Sequence, residues 1–199
     1  MFLYGASGHG KVVAEIAEKN NIRIDAFIDS DLSKNKLLDY DVLHKIPEAR
    51  FDAIISVGNN RTRKSIAENY SNFNFKKLVH PTAVISTRAK IEVGTVVMAG
   101  GTINSDVKIG KHCIVNTNAS IDHDCTLEDF THISPNAALA GDVFVGEGTH
   151  IGIGAAIIQG ITIGKWCVVG AGSVIIKDIP DGATVVGNPG KIIKINSDK

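Results

Sequence analysis

One histidine in this sequence has acidic residues on both sides and could act as a general base. His123 lies between Asp122 and Asp124, and Cys125 follows directly. An imidazole exchanges its proton near neutral pH, and a carboxylate close by orients the ring and raises its basicity. Such a base could remove a proton from an attacking amine or hydroxyl group. The local sequence is equally compatible with a catalytic histidine and with an exposed surface histidine.

The region around His123 repeats with a period of six residues. Counting in blocks of six from Val79, the first residue of every block is aliphatic through Ile175, and the fifth residue is usually small. Neither an α-helix nor an antiparallel sheet explains a strict period of six. A parallel β-helix does, with three blocks in each triangular coil. The sequence therefore predicts an all-β parallel β-helix over residues 79–199.

The coil of eighteen residues predicts which side chains share a side of this β-helix. His132 and His150 are one coil apart and should stack on adjacent coils. His123 and His132 are half a coil apart and should point to opposite sides of one protomer. We therefore hypothesise that each site lies between two subunits, where His123 of one faces His132 of the next. A single copy would then carry only half a site on each side.

Other residues with reactive side chains are assigned no chemical role. Three cysteines occupy the fifth position of their blocks, which predicts that they pack in the interior and form no acyl intermediate. These are Cys113, Cys125 and Cys167. Three histidines are expected at the surface outside any site, since two lie in connecting segments and the third has no acidic neighbour. These are His44, His80 and His112.

Residues 1–78 have a different pattern and predict a small Rossmann-like α/β domain. Apolar runs at residues 2–4, 26–28 and 53–57 end in glycine or polar residues, and helical patterns follow the first and third runs. Ligands of parallel sheets bind at the carboxyl ends of the strands. Those ends here are residues 7–10, Asp29 and residues 58–60.

The glycine-rich stretch at residues 5–11 nearly matches two nucleotide-binding motifs. It fits the spacing of a phosphate-binding P-loop, but Val12 stands where that loop needs a magnesium-binding hydroxyl. Its glycines also occur in an order that differs from the dinucleotide fingerprint. Backbone N–H groups at the start of a helix still favour a phosphate or pyrophosphate. The alternative is a strand-to-helix turn that needs glycine only for its conformation.

Together, the repeats, the stretch from Tyr4 to Gly10, and the segment 57–60 with Arg63 resemble a known family. They are similar to the hexapeptide-repeat acyltransferases, and more narrowly to the nucleotide-sugar N-acetyltransferases and sialic-acid O-acetyltransferases of bacterial surface-glycan synthesis. The resemblance implies a left-handed β-helix, a homotrimer and direct acetyl transfer from acetyl-CoA. The implied acceptor is the amino group of a nucleotide-linked sugar, with a UDP-linked 4-amino-4,6-dideoxy sugar as the expected form.

The resemblance also implies roles for individual residues. His123 would be the catalytic base and Asp124 its acidic partner, where the family usually has glutamate. Residues implied at the acetyl-CoA site are His132, Gly141 (a candidate oxyanion donor), Ile153, Gly187 and Lys191. Residues implied around the nucleotide-sugar are Ser7, Gly8, His9, Asp29, Ser30, Gly58 and Asn59. Ser30 stands where a second acidic residue is expected, and Gly190 replaces the usual alanine of a loop that could equally be a simple chain exit.

Two further functions share features with this interpretation. A sialic-acid O-acetyltransferase would differ only in its acceptor, a hydroxyl group in place of an amine. A non-catalytic nucleotide-sugar sensor on a trimeric scaffold would leave the acidic neighbours of His123 without a purpose. A carbonic anhydrase on the same scaffold would need a metal and two histidines five residues apart, a spacing that His112, His123, His132 and His150 do not provide. We therefore expect no metal.

The composition argues against several other classes. The 21 acidic and 21 basic residues give no net charge, so no nucleic-acid partner is expected. The longest stretch without a formal charge is broken by five glycines, and the sequence does not open with a secretory signal, so no membrane insertion is expected. The three cysteines without a metal or disulfide spacing favour a reducing cytoplasm.

Overall fold

The first part of the chain alternates strands and helices in a computed structural model that describes residues 1–196. Its elements are β1 (Phe2–Tyr4), α1 (Gly8–Lys19), β2 (Ala26–Ile28), β3 (Lys36–Leu37), β4 (Tyr40–Leu43), β5 (Phe51–Ile55), α2 (Asn60–Asn69) and β6 (Phe73–Phe75). The strands form a sheet in the order β3-β4-β2-β1-β5-β6, with β3 and β4 antiparallel and the other neighbours parallel.

The two helices cover opposite faces of this sheet. Residues of α1 pack with Leu3 and Ile54, whereas Ile66 of α2 packs with Ala53 and Ile55. Successive side chains of a strand point to opposite faces, which explains why Ile54 and Ile55 belong to different clusters. The predicted Rossmann-like α/β domain is confirmed.

The rest of the described chain is a left-handed parallel β-helix with three faces. The first face contains β7 (Leu78–Val79), β10 (Val96–Val97), β13 (Ile114–Val115), β16 (His132–Ile133), β19 (His150–Ile151), β22 (Val168–Val169), β24 (Ala183–Val186) and β25 (Lys191–Ile195). The second face contains β8 (Val84–Ile85), β11 (Thr102–Ile103), β14 (Ser120–Ile121), β17 (Ala138–Leu139), β20 (Ala156–Ile157) and β23 (Val174–Ile175). The third face contains β9 (Lys90–Ile91), β12 (Lys108–Ile109), β15 (Thr126–Leu127), β18 (Phe144–Val145) and β21 (Thr162–Ile163).

The strand register confirms the predicted coil of eighteen residues. His132 pairs with His150 and Val96 pairs with Ile114 on the first face. The repeated aliphatic residues form one continuous interior cluster. All three cysteines are buried within it, as predicted, and the Thr131 hydroxyl lies 3.2 Å from the Cys113 sulfur of the adjacent coil.

All three corners of the β-helix contain residues in the left-handed conformation, where glycine, asparagine and aspartate are favoured. The corner between the second and third faces has Asp106, Asp124 and Asp142 in this conformation. The corner between the third and first faces instead includes His112, Phe130 and Trp166. His123 belongs to the former corner, which lies opposite the first face of the triangular coil. We call it the His123 corner.

The prediction that His80 and His112 lie at the surface is wrong, whereas His44 is exposed as expected. The His112 side chain stacks on Phe130 at 5.3 Å between ring centres and meets the edge of Phe75 at 4.5 Å. His112 is only 4% exposed and His80 only 9%. The first part of the chain covers the corner that carries His112, a long-range contact that the repeat pattern does not reveal.

A buried arginine on α2 joins the α/β sheet to the β-helix. Arg63 is 1% exposed, and its guanidinium donates only to oxygen atoms of amides within the described chain. Its acceptors are the main-chain oxygens of Val57 and Gly58 (both 3.1 Å), His112 (2.7 Å), Phe130 (2.9 Å) and Thr131 (3.4 Å), and Oδ1 of Asn60 (2.8 Å). The Gly58 loop and the third-to-first corner are therefore held by one side chain.

The predicted domain boundary lies within a strand. The boundary between residues 78 and 79 falls inside β7, so the division into 1–78 and 79–199 stays a proposal, and residues 197–199 lie outside the described part of the chain. Among residues 1–196, no helix combines the length and apolar character that crossing a bilayer requires.

Candidate active site

The side chain of His123 is exposed at its corner and is oriented by its neighbours. Its Nδ1 lies 2.8 Å from Oδ2 of Asp124. The hydrogen bond to Asp124, and then the charge of Asp122, raise the pKa of His123 above its usual value. With Nδ1 engaged by a carboxylate, Nε2 is the nitrogen available to accept a proton from a ligand.

Gly141, one coil further along the β-helix, leaves room for this ring. A Cβ atom at position 141 would lie 2.5 Å from Cε1 and 2.6 Å from Nε2 of His123, closer than side-chain atoms approach one another. Only glycine therefore allows the imidazole its present position. His123, Asp124 and Gly141 therefore lie in one compact group.

Three other histidines cluster where the first face meets the α/β sheet. The rings of His132 and His150 stack at 4.7 Å with planes 8° apart, and the His9 ring lies 6.4 Å from His132. The Asn116 side-chain amide donates to Nε2 of His132 at 3.0 Å, which requires the neutral imidazole at that nitrogen. The predicted stacking of His132 and His150 is confirmed, and His9 joins them from the start of α1.

Burial lowers the pKa of the clustered histidines. The pKa of His132 falls to about 3 because the ring is desolvated and because His150 and Arg63 are nearby. Burial and then Arg63 lower the pKa of His9 to about 4. These rings are therefore neutral at physiological pH. They suit hydrogen bonding to a ligand and not proton exchange near pH 7.

A groove runs along the first face past these histidines. One cavity of about 430 Å³ lies between the start of α2 and the first face, and a second of about 460 Å³ adjoins it. Both are lined by His132, His150 and Val168. Gly58 and Asn59 line the first cavity, and Ile153 lines the second. The groove thus connects predicted nucleotide-sugar residues with predicted acetyl-CoA residues.

The glycine-rich turn is built for close approach of the backbone to α1. Gly5 has φ +117°, and a Cβ at Gly10 would lie 2.5 Å from the carbonyl oxygen of Gly5. Ser7 precedes α1 as its N-cap without a side-chain capping bond, and both Ser7 and Gly8 are exposed. Main-chain and side-chain donors at this helix start remain accessible to an anionic ligand.

Asp29 is held by the protein itself at the end of β2. Its carboxylate accepts the N–H groups of Ala6 (2.8 Å) and Asp31 (3.0 Å) and the Lys34 ammonium (3.0 Å). Partial burial alone would raise the pKa of Asp29, but these hydrogen bonds outweigh it and lower the pKa. Asp29 therefore anchors the glycine-rich turn to β2, while the adjacent Ser30 is exposed.

The remaining predicted residues lie at the ends of other elements. Asn59 caps α2 through its Oδ1, which accepts the Thr62 N–H at 2.9 Å. Gly187 lies in the turn between β24 and β25, with φ +98°, and Lys191 begins the exposed strand β25. This hairpin extends the first face beyond β22, whose Val168 lines the groove.

Sequence reasoning missed several residues of this region. Asn116 holds His132, Ser134 holds His150 at 2.7 Å, and Trp166 lines the groove under the Arg61 guanidinium at 4.5 Å. Asn116 and Ser134 each lie sixteen residues before the histidine that they contact, so the length of the coil was a usable signal for both. No signal in the repeat indicated the contact between α2 and Trp166.

We predict that the buried histidines make the protein less stable in mild acid. A histidine whose pKa is lower when folded binds protons preferentially when unfolded. The free energy of unfolding should therefore fall as pH drops below about 6.5, and the loss should end near pH 4 for His9 and His112 and near pH 3 for His132. Denaturant titrations between pH 7 and pH 4 measure this loss.

The matched variant is His112→Phe. The pKa of His112 is lowered to about 4, chiefly by burial, and the equivalent position one coil later is Phe130 with the same left-handed backbone. Phenylalanine should therefore be tolerated there and remove one titrating group. The variant should lose roughly 2 kcal/mol less than the wild type over this pH range. Equal losses in both proteins would contradict the assignment for His112.

Comparisons with known proteins place this geometry in a family. Residues 1–70 match the model of the PglD N-terminal domain, and residues 142–177 match the bacterial transferase hexapeptide (six repeats) model. The solved acetyltransferase domain of PglB from Neisseria gonorrhoeae FA1090 is 41% identical, with a TM-score of 0.91, and the alignment covers 96% of this chain and 98% of that one. The chain belongs to the hexapeptide-repeat acyltransferase family.

Other members of the hexapeptide-repeat acyltransferase family are similar as well. PerB from Caulobacter crescentus, solved in complex with CoA and GDP-perosamine, is 35% identical, with a TM-score of 0.92 and coverage of 97% of this chain and 96% of that one. The UDP-N-acetylbacillosamine N-acetyltransferase of Bacillus subtilis (strain 168) is 41% identical over 113 residues, 49% of this chain. That match spans only half the length of the curated relative.

Proposed function

We propose that the protein is an acetyl-CoA-dependent N-acetyltransferase acting on a nucleotide-linked amino sugar in bacterial surface-glycan biosynthesis. The acceptor we favour is the amino group of a UDP-linked 4-amino-4,6-dideoxy sugar. The observation that carries the proposal is the His123–Asp124 pair over Gly141, in a chain aligned over 96% of its length with a solved acetyltransferase domain. Related proteins whose names or structures include UDP-linked and GDP-linked amino sugars support the substrate class.

The mechanism we propose is direct transfer. His123 accepts a proton through Nε2 as the sugar amine attacks the thioester carbonyl, and the CoA thiolate leaves. Asp124 keeps the ring oriented and favours its charged form. The N–H of Gly141, beside the ring, would donate to the developing oxyanion. A covalent acyl-cysteine is not part of this route, because all three cysteines are buried and burial raises the pKa of each thiol.

The two half-sites we propose lie on opposite sides of one protomer. The His123 corner is opposite the first face, where His132, Ile153 and the β24–β25 hairpin with Gly187 and Lys191 would hold acetyl-CoA. Ser7, Gly8, His9, Asp29, Ser30, Gly58 and Asn59 would surround the nucleotide-sugar. We therefore propose a homotrimer in which the corner of one copy meets the groove of the next. The free buried cysteines are consistent with a cytoplasmic location.

A comparison of acceptors tests the proposed function. Thiol release from acetyl-CoA is measured with a UDP-linked 4-amino-4,6-dideoxy sugar and with the same sugar nucleotide carrying a 4-hydroxyl group. We expect turnover with the amine only, and a GDP-linked amino sugar run in parallel reports on the nucleobase. Turnover with a hydroxyl acceptor or a sialic acid would instead indicate an O-acetyltransferase. Binding of sugar nucleotide without turnover of any acceptor would indicate the scaffold function.

A further inference from the structure

A second carboxylate beside His123 makes contacts that differ from those of Asp124. Oδ1 of Asp122 accepts the main-chain N–H of His123 at 2.8 Å. The same oxygen accepts the side-chain amide of Asn104 at 2.8 Å, from the preceding coil. Asp124 contacts the imidazole ring, whereas Asp122 contacts the backbone that carries the ring.

We propose that Asp122, tethered by Asn104, is a positioning residue that fixes the backbone of His123 at its corner. The proposal rests on the proposed function, in which His123 is the base. The ring is exposed, and its close neighbours include the Asp124 carboxylate and Gly141, so the position of the ring also depends on the main chain that carries it. A displacement of about 1 Å at a reacting group can cost a hundredfold in rate, so such a restraint matters for catalysis.

The charge of Asp122 is not needed for this contact. At the corner between the first and second faces, Asn116 occupies the equivalent position of its block, and its Oδ1 accepts the N–H of Thr117 at 2.8 Å. An amide oxygen thus makes the same bond elsewhere in this protein. Asp122→Asn should therefore keep the restraint on the backbone and lose only the charge.

This difference separates positioning from electrostatics. Asp122→Asn and Asp122→Ala both remove a negative charge near the imidazole, so both should lower the pKa of His123 by a similar amount. Only the alanine variant also removes the acceptor of the His123 N–H. If Asp122 acts by positioning, kcat should follow the hydrogen bond and not the pKa.

The experiment compares three variants and a control by amine acetylation and by NMR. Asp122→Ala should lower kcat about tenfold with little change in KM for acetyl-CoA, and Asn104→Ala about threefold. Asp122→Asn should stay within about threefold of wild type, as should the control Asp106→Asn, which changes a carboxylate at the same corner one coil away. The NMR readouts are the His123 amide shift and the imidazole titration.

The NMR readouts test the proposal even without catalysis. The His123 amide proton should keep its hydrogen-bonded shift in Asp122→Asn and lose it in Asp122→Ala, whatever reaction the protein performs. Loss of that pattern would overturn the positioning role while leaving the proposed function intact. Equal loss of kcat in both Asp122 variants would show that the charge, and not the hydrogen bond, is what His123 requires. An inactive wild type with the expected amide shifts would contradict only the proposed function.

Discussion

Replacement of His123 by glutamine is expected to lower kcat for amine acetylation by about 10²–10⁴-fold, the usual contribution of a general base. KM for acetyl-CoA should change little, because the ring acts on the proton of the attacking amine and not on CoA. In the wild type, kcat/KM should rise with pH and level off once the pH exceeds the raised pKa of His123, since only the neutral imidazole accepts a proton. That rise should be absent from His123→Gln.

Gly141→Ala tests the same group without changing the histidine. The new Cβ would lie 2.5 Å from the His123 ring, so the ring must move away from its present position. A displacement of this kind should reduce kcat roughly 10–100-fold. His44→Gln is the control, because this exposed histidine belongs to the α/β domain, where its Nδ1 lies 3.1 Å from the main-chain oxygen of Asp29. Full activity in His123→Gln would rule out the proposed base, and full activity in Gly141→Ala would show that the ring position is not critical.

The strict repeat made most of the fold predictable. A period of six with eighteen residues per coil places each side chain on a face or a corner, because each coil stacks in register on the one before. The same arithmetic predicted that His132 and His150 stack and that His123 lies on another side from His132. The local sequence pattern therefore indicated the residues of each proposed half-site separately.

Contacts between the α/β sheet and the β-helix were not predictable in this way. Arg63 donates to the carbonyls of His112 and Phe130, which are 49 and 67 residues away in sequence. Neither the six-residue repeat nor the pattern of strands and helices predicts how the α/β sheet packs against the β-helix. His112 was therefore expected at the surface. The neutral state of His132 also depends on this packing, since burial and Arg63 act on the ring together. The sequence indicated the chemistry of single residues, whereas the burial and charges around them could be found only from the folded structure.

Arg63→Met is expected to be the most destabilising of the substitutions considered. The guanidinium bridges six amide oxygens at the domain joint, and no carboxylate among the described residues pairs with it. Methionine fills similar space but leaves most of these buried acceptors unpaired, each at a cost of about 1–3 kcal/mol before relaxation. We expect the free energy of unfolding to fall by about 3–5 kcal/mol, measured by denaturant titration at fixed protomer concentration.

Arg61→Met on the same helix is the matched control for this prediction. The Arg61 guanidinium lies over the Trp166 ring at an exposed position, where a cation–π contact contributes about 0.5–1 kcal/mol. A large loss for Arg63→Met and a small loss for Arg61→Met would show that the buried carbonyl contacts, and not positive charge on α2, hold the joint. If Arg63→Met lost less than about 1 kcal/mol, water would have to replace the guanidinium at those carbonyls. The Gly58 loop would then lack a rigid connection to the groove that contains His132.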